Sequence, residues 1–295
     1  MHQLERIHIA DIKPTEFARA FRSGSGTPVL ITGVLDGLDP CSLEWLQSKL
    51  PDAKLPVRYY GRDHFKKPKT EWKVYSEIRQ MTPAEYAASL TDRAARDENM
   101  YMAQVPIGET ELGALMRPIM NRLGANTGLE AVIDLNLWWG PGGHTEPLHY
   151  DSGDGTLLQL YGTKRALLFP PSQTRNLYPF PVRSKGIAPW ISQVYVDRPD
   201  FKAFPGLREA LEHKIDVTLN AGEVLFIPAN WWHEVSATSD DYICSLNRFW
   251  TVRPFTRLFT NRISPIVYPL SMMALALYNR KQAKEKARAA GKGDA

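Results

Sequence analysis

Between residues 131 and 250, short apolar runs alternate with turns rich in Gly and Pro. Gly140-Pro-Gly-Gly143 is typical of these turns. Many short strands with frequent turns form a closed barrel or a jelly roll, because closure removes exposed sheet edges. The segment therefore predicts a mainly β core. Its expected strands cover residues 132–139, 148–151, 156–160, 165–169, 223–227, 232–235 and 242–249.

The segments on either side of this core have a different pattern. Before residue 130, short strands alternate with helices, and Thr82-Pro-Ala-Glu85 forms a capping box that begins one of the helices. Within the core, residues 176–217 form an insertion with one expected helix at 207–213. We predict an amino-terminal α/β region that packs on the barrel (1–130), the barrel (131–253), and carboxy-terminal helices with a basic tail (254–295).

The net charge of +4 arises at the end of the chain, where residues 280–295 hold six basic and two acidic side chains. The rest is formally neutral, which does not favour the basic folded face of a nucleic-acid-binding protein. Two cysteines are too few for a disulfide framework, and the first residues do not form an apolar leader. We therefore expect a cytoplasmic protein without a membrane segment.

Candidate metal ligands lie in Pro147-Leu-His149-Tyr-Asp151 and, later in the chain, at His233. Residues two apart on a strand point to the same face, so His149 and Asp151 are expected side by side. Two imidazoles and one carboxylate on one face of an octahedral ion are the ligand set of non-haem Fe(II) oxygenases. A His and an Asp on a surface strand, or a hydrolytic zinc site, would give the same residues. A location at the mouth of a barrel favours a metal site.

A candidate cation follows at Lys164, at the start of an expected strand. Strand periodicity directs either Lys164 or Arg165 into the barrel and does not decide between them. A buried cation needs an anionic partner, which a dicarboxylate cosubstrate would supply. A lysine that faces solvent at the strand start is the alternative.

These residues resemble a known family. Gly140-Pro-Gly-Gly-His-Thr-Glu-Pro-Leu-His-Tyr-Asp151 and Gly222-Glu-Val-Leu-Phe-Ile-Pro-Ala-Asn-Trp-Trp-His233 are similar to motifs of the Jumonji-C oxygenases of the cupin-8 type. Within this family the resemblance is to the asparaginyl hydroxylase of hypoxia-inducible factor. It implies a double-stranded β-helix and a dioxygenase that uses Fe(II), 2-oxoglutarate and O₂. By the same resemblance, His149, Asp151 and His233 are the metal ligands.

The resemblance also assigns a 2-oxoglutarate pocket. Lys164 and Tyr101 would contact the distal carboxylate of the cosubstrate, Asn247 would lie near it, and Trp138 would form a wall. Two positions depart from the family. Glu146 stands where the family has Thr, so either Glu146 turns away, or a β-bulge puts Thr145 in its place as a cosubstrate contact, or the cosubstrate is held differently. Gly155 stands where the hydroxylase has a polar amide.

Several functions remain open at this stage. The first is hydroxylation of a protein or peptide side chain; the second is the same chemistry on RNA or a small metabolite, which the basic and aromatic residues of segment 62–73 would suit. The third is a cupin-like binding module without activity, in which Glu146 and Gly155 mark decay of the cosubstrate site. The carboxy-terminal helices resemble those through which the hydroxylase forms a homodimer, so a homodimer is also expected.

Overall fold

The computed structural model describes residues 4–38, 41–69, 77–181 and 188–260. In these ranges thirteen β-strands form two sheets, and six α-helices lie around them. The strands are β1 (Arg6–His8), β2 (Val29–Thr32), β3 (Leu55–Tyr59), β4 (Glu77–Met81), β5 (Met100–Pro106), β6 (Asn136–Pro141), β7 (Thr145–Tyr150), β8 (Asp154–Tyr161), β9 (Lys164–Phe169), β10 (Ile215–Leu219), β11 (Val224–Ile227), β12 (Trp232–Ala237) and β13 (Tyr242–Trp250). The helices are α1 (Pro14–Phe21), α2 (Leu43–Ser48), α3 (Pro83–Thr91), α4 (Ala94–Asp97), α5 (Glu111–Thr127) and α6 (Leu207–Glu212).

The two sheets form the double-stranded β-helix that the sequence predicted. The large sheet has the order β1-β2-β11-β8-β13-β6-β5-β3-β4, and the small sheet has the order β10-β9-β12-β7. From β6 to β13 the chain alternates between the two sheets, except that β9 and β10 are neighbours in the small one. The mainly β jelly-roll fold is therefore confirmed, and the helices flank it.

The amino-terminal residues extend the large sheet at both edges. On one side β2 pairs with β11, and on the other side β5 pairs with β6 through Met102 and Trp139. Residues 1–130 were expected to pack on the barrel, but their described strands are hydrogen-bonded into its large sheet. The division of the chain at residue 130 stays a prediction, and it falls inside a continuous sheet.

Local signals in the sequence place several elements. Thr82 and Glu85 form both hydrogen bonds of the capping box at the start of α3. The helix expected at 207–213 is α6. The strand β10 was not predicted, because the insertion was extended to residue 217. Its residues Ile215–Leu219 pair with β9 over their whole length, and Asp216 forms an ion pair with Arg165.

The carboxy-terminal prediction lies mostly outside the described residues. Beyond β13 the structure describes one short 3₁₀ helix, Phe255–Phe259. The expected helices after residue 260, and the homodimer that they would form, therefore stay predictions. Within the described ranges, no helix has both the length and the apolar character needed to cross a bilayer.

A buried tyrosine connects α3 to the large sheet beside the site described below. The Tyr86 hydroxyl lies 3.1 Å from the carbonyl oxygen of Met100 and 3.0 Å from that of Trp139, and its ring packs edge-on against the Trp139 indole. A hydroxyl has one proton to donate, so the two carbonyls share it. Tyr86 is fully buried, which makes this contact a determinant of how β5 and β6 are held together.

Replacing Tyr86 with Phe should lower the free energy of unfolding by about 1–3 kcal/mol, because buried carbonyls lose their donor. Urea denaturation monitored by circular dichroism measures this change. The control is Tyr161→Phe, since the Tyr161 hydroxyl contacts Asp241 at the surface. Equal effects of the two substitutions would contradict the role assigned to Tyr86.

Candidate metal centre

A cavity of about 320 Å³ lies between the two sheets. The small sheet forms one wall, the large sheet forms the opposite wall, and Trp190 and Ile191 of the insertion lie at its side. A cavity of this size can hold a small organic molecule. The predicted site residues that line it are Tyr101, Trp138, His149, Asp151, Lys164, His233 and Asn247.

The three predicted metal ligands come together on the small sheet. His149 lies on β7 and is directly opposite His233 of the adjacent strand β12, while Asp151 follows β7. One potential ligand atom from each residue lies within 4.8 Å of the others. The two imidazole centroids are 4.2 Å apart, and Asp151 Oδ2 lies 3.6 Å from His233 Nε2.

Hydrogen bonds to the backbone orient both imidazoles. His149 Nδ1 donates to the Pro147 carbonyl at 2.7 Å, and His233 Nδ1 donates to the Trp231 carbonyl at 3.0 Å. Such bonds leave each Nε2 atom free to bind a metal. Burial lowers the pKa of His233 to about 4, so its imidazole is neutral near pH 7. Two imidazoles and a carboxylate fit a divalent ion and leave positions for further ligands.

Lys164 points into the cavity from the first position of β9. Only 3% of the residue is exposed, whereas the neighbouring Arg165 lies on the other face and pairs with Asp216. Lys164 Nζ donates to Ser245 Oγ at 2.6 Å and lies 3.4 Å from the Tyr101 hydroxyl. Among the described residues, no carboxylate lies within ion-pair distance of this ammonium. Burial lowers the pKa of Lys164 to about 8.

The opposite wall contains the other predicted residues. The Trp138 indole donates to Asn247 Oδ1 at 2.8 Å, and the Tyr101 ring lies 6.1 Å from the Trp138 ring. Gly155 also lines the cavity, and a Cβ atom there would be in ordinary contact with Phe249 at 3.7 Å. The absence of a side chain at Gly155 leaves space at this wall.

The expectation for Thr145 is wrong. The pairing of β7 with β12 shifts between His149 and Glu146, so an extra residue lies on β7 at this point. This bulge directs both Glu146 and His149 into the cavity. Thr145 lies on the outer face, where its hydroxyl contacts Ser236 Oγ at 2.9 Å. The residue that occupies the family's Thr position is therefore Glu146 itself.

Glu146 is held among polar partners at the cavity wall. Its carboxylate lies 3.3 Å from His144 Nε2 and accepts a hydrogen bond from Tyr60. Burial opposes its ionisation, but the hydrogen bond from His144 and the nearby charge of Arg58 lower the pKa of Glu146 to about 2. The His144 ring stacks on Tyr101 at 3.8 Å. Glu146 is therefore ionised near neutral pH.

Two further cavity residues, and the hydroxyl partner of Lys164, were not predicted from the sequence. Arg58 comes from β3, which lies more than ninety residues before the metal ligands, so no local pattern indicated it. Gln104 reaches the cavity from a bulge in β5 with a φ of +57°. Ser245, the partner of Lys164, lies two residues before Asn247 on β13, and strand periodicity alone would have placed it on the same face.

Comparison with known proteins agrees with this geometry. The family model of a cupin-like domain matches residues 14–255. The chain belongs to the cupin-like family. This range contains every residue of the candidate site, and the predicted cupin-8 resemblance is confirmed.

Relatives of this cupin-like protein include Jumonji-C proteins. It is 31% identical to lysine-specific demethylase JMJ31 of Arabidopsis thaliana over 52% of the chain and 28% of the relative. It is 39% identical to JmjC domain-containing protein D of Dictyostelium discoideum over 37% of the chain and 24% of the relative. It is 41% identical to human HSPB1-associated protein 1 over 38% of the chain and 22% of the relative. The chain thus matches about a quarter of the length of each relative.

Replacing Lys164 with Met should raise the free energy of unfolding of the ligand-free protein by about 1–3 kcal/mol at pH 7, because a buried charge is removed. Burial lowers the folded-state pKa from 10.5 to about 8. Burial of the Lys164 ammonium therefore lowers the free energy of unfolding of the wild type by its full amount below pH 8, and this loss disappears as the pH rises towards 10.5. The stability gained by the variant should decrease over the same range.

Chemical denaturation at several pH values measures this gain. The control is Arg165→Met, which changes the neighbouring exposed residue and should give no gain. A Lys164→Met protein that is less stable than the wild type at pH 7 would show that the ammonium has a stabilising partner.

Proposed function

We propose that this chain is an Fe(II)- and 2-oxoglutarate-dependent dioxygenase that hydroxylates a side chain of a protein or peptide. The observation that carries the proposal is that one cavity contains both a candidate metal-binding triad and a buried cation. His149, Asp151 and His233 provide a ligand set for Fe(II), and the buried Lys164 provides a cation for a carboxylate. Bound iron would activate O₂ at the expense of 2-oxoglutarate.

The residues of the cavity would each have a defined task. His149, Asp151 and His233 hold the metal and leave open positions for the cosubstrate and O₂. Lys164 and Tyr101 bind the distal carboxylate of 2-oxoglutarate, and Asn247 and Trp138 support it from the large sheet. None of these side chains needs to transfer a proton. The protein provides binding, orientation and a cavity that limits access of water.

The charges of the cavity are compatible with a dianionic cosubstrate. Two cationic side chains, Arg58 and Lys164, and two carboxylates, Glu146 and Asp151, line the cavity. A divalent metal and 2-oxoglutarate would then neutralise each other. Because Glu146 is engaged with His144 and Tyr60, its charge is already compensated. This compensation argues against the alternative that Glu146 marks a decayed, inactive site.

A protein substrate has more support than RNA. In the basic segment that suggested RNA, Arg62 pairs with Glu98, and Lys66 pairs with Asp63. Lys69 is buried and donates to the Ser192 and Val194 carbonyls. The name of the Arabidopsis relative, a lysine-specific demethylase, also favours a protein substrate.

Two variants should separate metal binding from cosubstrate binding. His233→Ala should abolish turnover and weaken Fe(II) binding without unfolding the chain, because one of three ligands is lost. Lys164→Met should keep the metal and weaken 2-oxoglutarate binding on the order of 10- to 100-fold, since a hydrogen bond to a charged group contributes roughly 1.5–3 kcal/mol.

Anaerobic titration of Fe(II) and 2-oxoglutarate, followed by the metal-to-ligand charge-transfer band, measures both effects. Arg165→Met is the matched control and should titrate like the wild type. Full turnover by His233→Ala would refute the ligand assignment. A folded wild-type chain that gives neither the band nor succinate would refute the enzyme hypothesis.

The substrate class can be tested by capture. The metal-substituted full chain should retain a protein from a lysate, and the retained protein should gain one oxygen atom when Fe(II), 2-oxoglutarate and O₂ are added. Loss of a methyl group would assign demethylation instead. Binding that survives ribonuclease treatment and changes little with salt is expected. A steep loss of binding with salt would favour RNA.

A further inference from the structure

The two chain segments that carry metal ligands are linked to each other behind the cavity. One segment leads from Asp151 to Asp154 at the start of β8, and the other, residues 228–231, precedes His233 on β12. The Asn230 backbone N–H donates to the Asp151 carbonyl at 2.7 Å. The Ala229 backbone N–H donates to Asp154 Oδ1 at 2.9 Å. The spacing between Asp151 and His233 therefore depends on this pair of contacts.

Arg257 joins this connection from outside the barrel. It lies in the 3₁₀ helix Phe255–Phe259, and only 1% of it is exposed. Its NH1 atom donates to Asp154 Oδ2 at 2.7 Å. Its backbone carbonyl accepts a hydrogen bond from Asn230 Nδ2 at 3.1 Å. One residue thus contacts both ligand-bearing segments, through its side chain and through its backbone.

The surroundings of Arg257 fix its position closely. A Cβ atom on Gly26 would lie 2.6 Å from Arg257 NH2, so the turn at Gly26 packs directly against the guanidinium. Arg22 Nε lies 3.8 Å from Asp154 Oδ2. Two buried guanidinium groups therefore surround one carboxylate, and Arg257 Nε and NH2 have no partner among the described residues.

A buried arrangement with this charge excess is costly and adds little to stability compared with apolar packing. Its contacts instead fix positions. They determine where Asp154 and Asn230 lie, and these two residues connect the segment that follows Asp151 to the segment that precedes His233. Groups outside the ligands themselves commonly tune metal affinity by orienting the ligands. Arg257 also lies just beyond the family match, which ends at residue 255.

We propose that Arg257 is a positioning residue for the metal centre, acting through Asp154 and Asn230 to hold Asp151 and His233 at metal-binding distance. This inference rests on the metal centre of the proposed function. Arg257 contacts neither the metal nor a substrate. Its removal should therefore change metal affinity and the metal's ligand field, in addition to any change in stability.

Two variants test the inference in the full-length chain. Arg257→Lys keeps the charge but loses the planar, forked donor group. Asn230→Gly removes the side-chain bond to Arg257 but keeps the backbone N–H that contacts Asp151. Glycine also adopts the left-handed conformation that Asn230 has at a φ of +67°. The control is Arg253→Lys, the same change in an exposed arginine that pairs with Glu130.

Co(II) titration of the metal-free proteins, followed by visible absorption well below each unfolding temperature, measures affinity and ligand field together. We expect Arg257→Lys and Asn230→Gly to bind Co(II) about 10-fold or more weakly, the range found for residues that support metal ligands. The two substitutions remove different contacts, the side-chain bond to Asp154 and the bond to the Arg257 carbonyl, so the double variant should bind Co(II) at least as weakly as either single variant. Arg253→Lys should match the wild type.

The outcomes separate positioning from stability. Variants with lowered unfolding temperatures but Co(II) affinities within about twofold of the wild type would overturn the inference and leave Arg257 a structural residue. If Arg257→Lys does not fold, Asn230→Gly decides. If the wild-type chain shows no Co(II) band that His233→Ala removes, the metal centre itself is wrong, and the inference fails with it.

Discussion

The buried ammonium of Lys164 is the constraint around which the cavity is built. An ion in a protein interior is costly unless it has a partner, and here the described partners are the hydroxyls of Ser245 and Tyr101. These hydroxyls lie on the large sheet, opposite Lys164 on the small sheet. The Lys164 ammonium of the small sheet is therefore hydrogen-bonded by hydroxyls of the large sheet, and the cavity lies between the two sheets. That space lies beside the three candidate metal ligands, so an anion that also binds metal is compatible with the site.

Glu146 adds a negative charge to the cavity that contains the Lys164 ammonium. The direction of its carboxylate therefore decides whether Lys164 is already paired. If its carboxylate were directed at Lys164, the two charges would satisfy each other and leave no need for an anionic ligand. His144, Tyr60 and Arg58 engage Glu146 instead. The cavity thus contains an acid, yet among the described residues no carboxylate lies within ion-pair distance of the Lys164 ammonium. The stacked pair of His144 and Tyr101 connects the two groups, so the acid also supports one wall of the cavity.

Sequence periodicity predicted that the candidate metal ligands His149 and Asp151 would share one face, but it did not predict the residues around them. His149 and Asp151 share a face because strand side chains alternate, and this rule holds wherever the strand is regular. It fails at the bulge in β7, which turns Glu146 inward and leaves Thr145 outside. A bulge depends on pairing with β12, and that partner lies more than eighty residues away. Arg58 was not predicted for the same reason. Its position depends on the pairing of β3 with β5, which no local sequence pattern indicates.

The barrel strands alone do not complete the site. Tyr101 and Arg58 come from strands that extend the large sheet, so the wall opposite the metal ligands depends on residues before position 130. At the other side, Gly26 and Arg257 pack against the segments that hold Asp151 and His233. Both flanks of the chain therefore contact the functional core through buried polar groups. A barrel that varied its flanks freely would lose these contacts, and the metal ligands would then have to be positioned by the two strands alone.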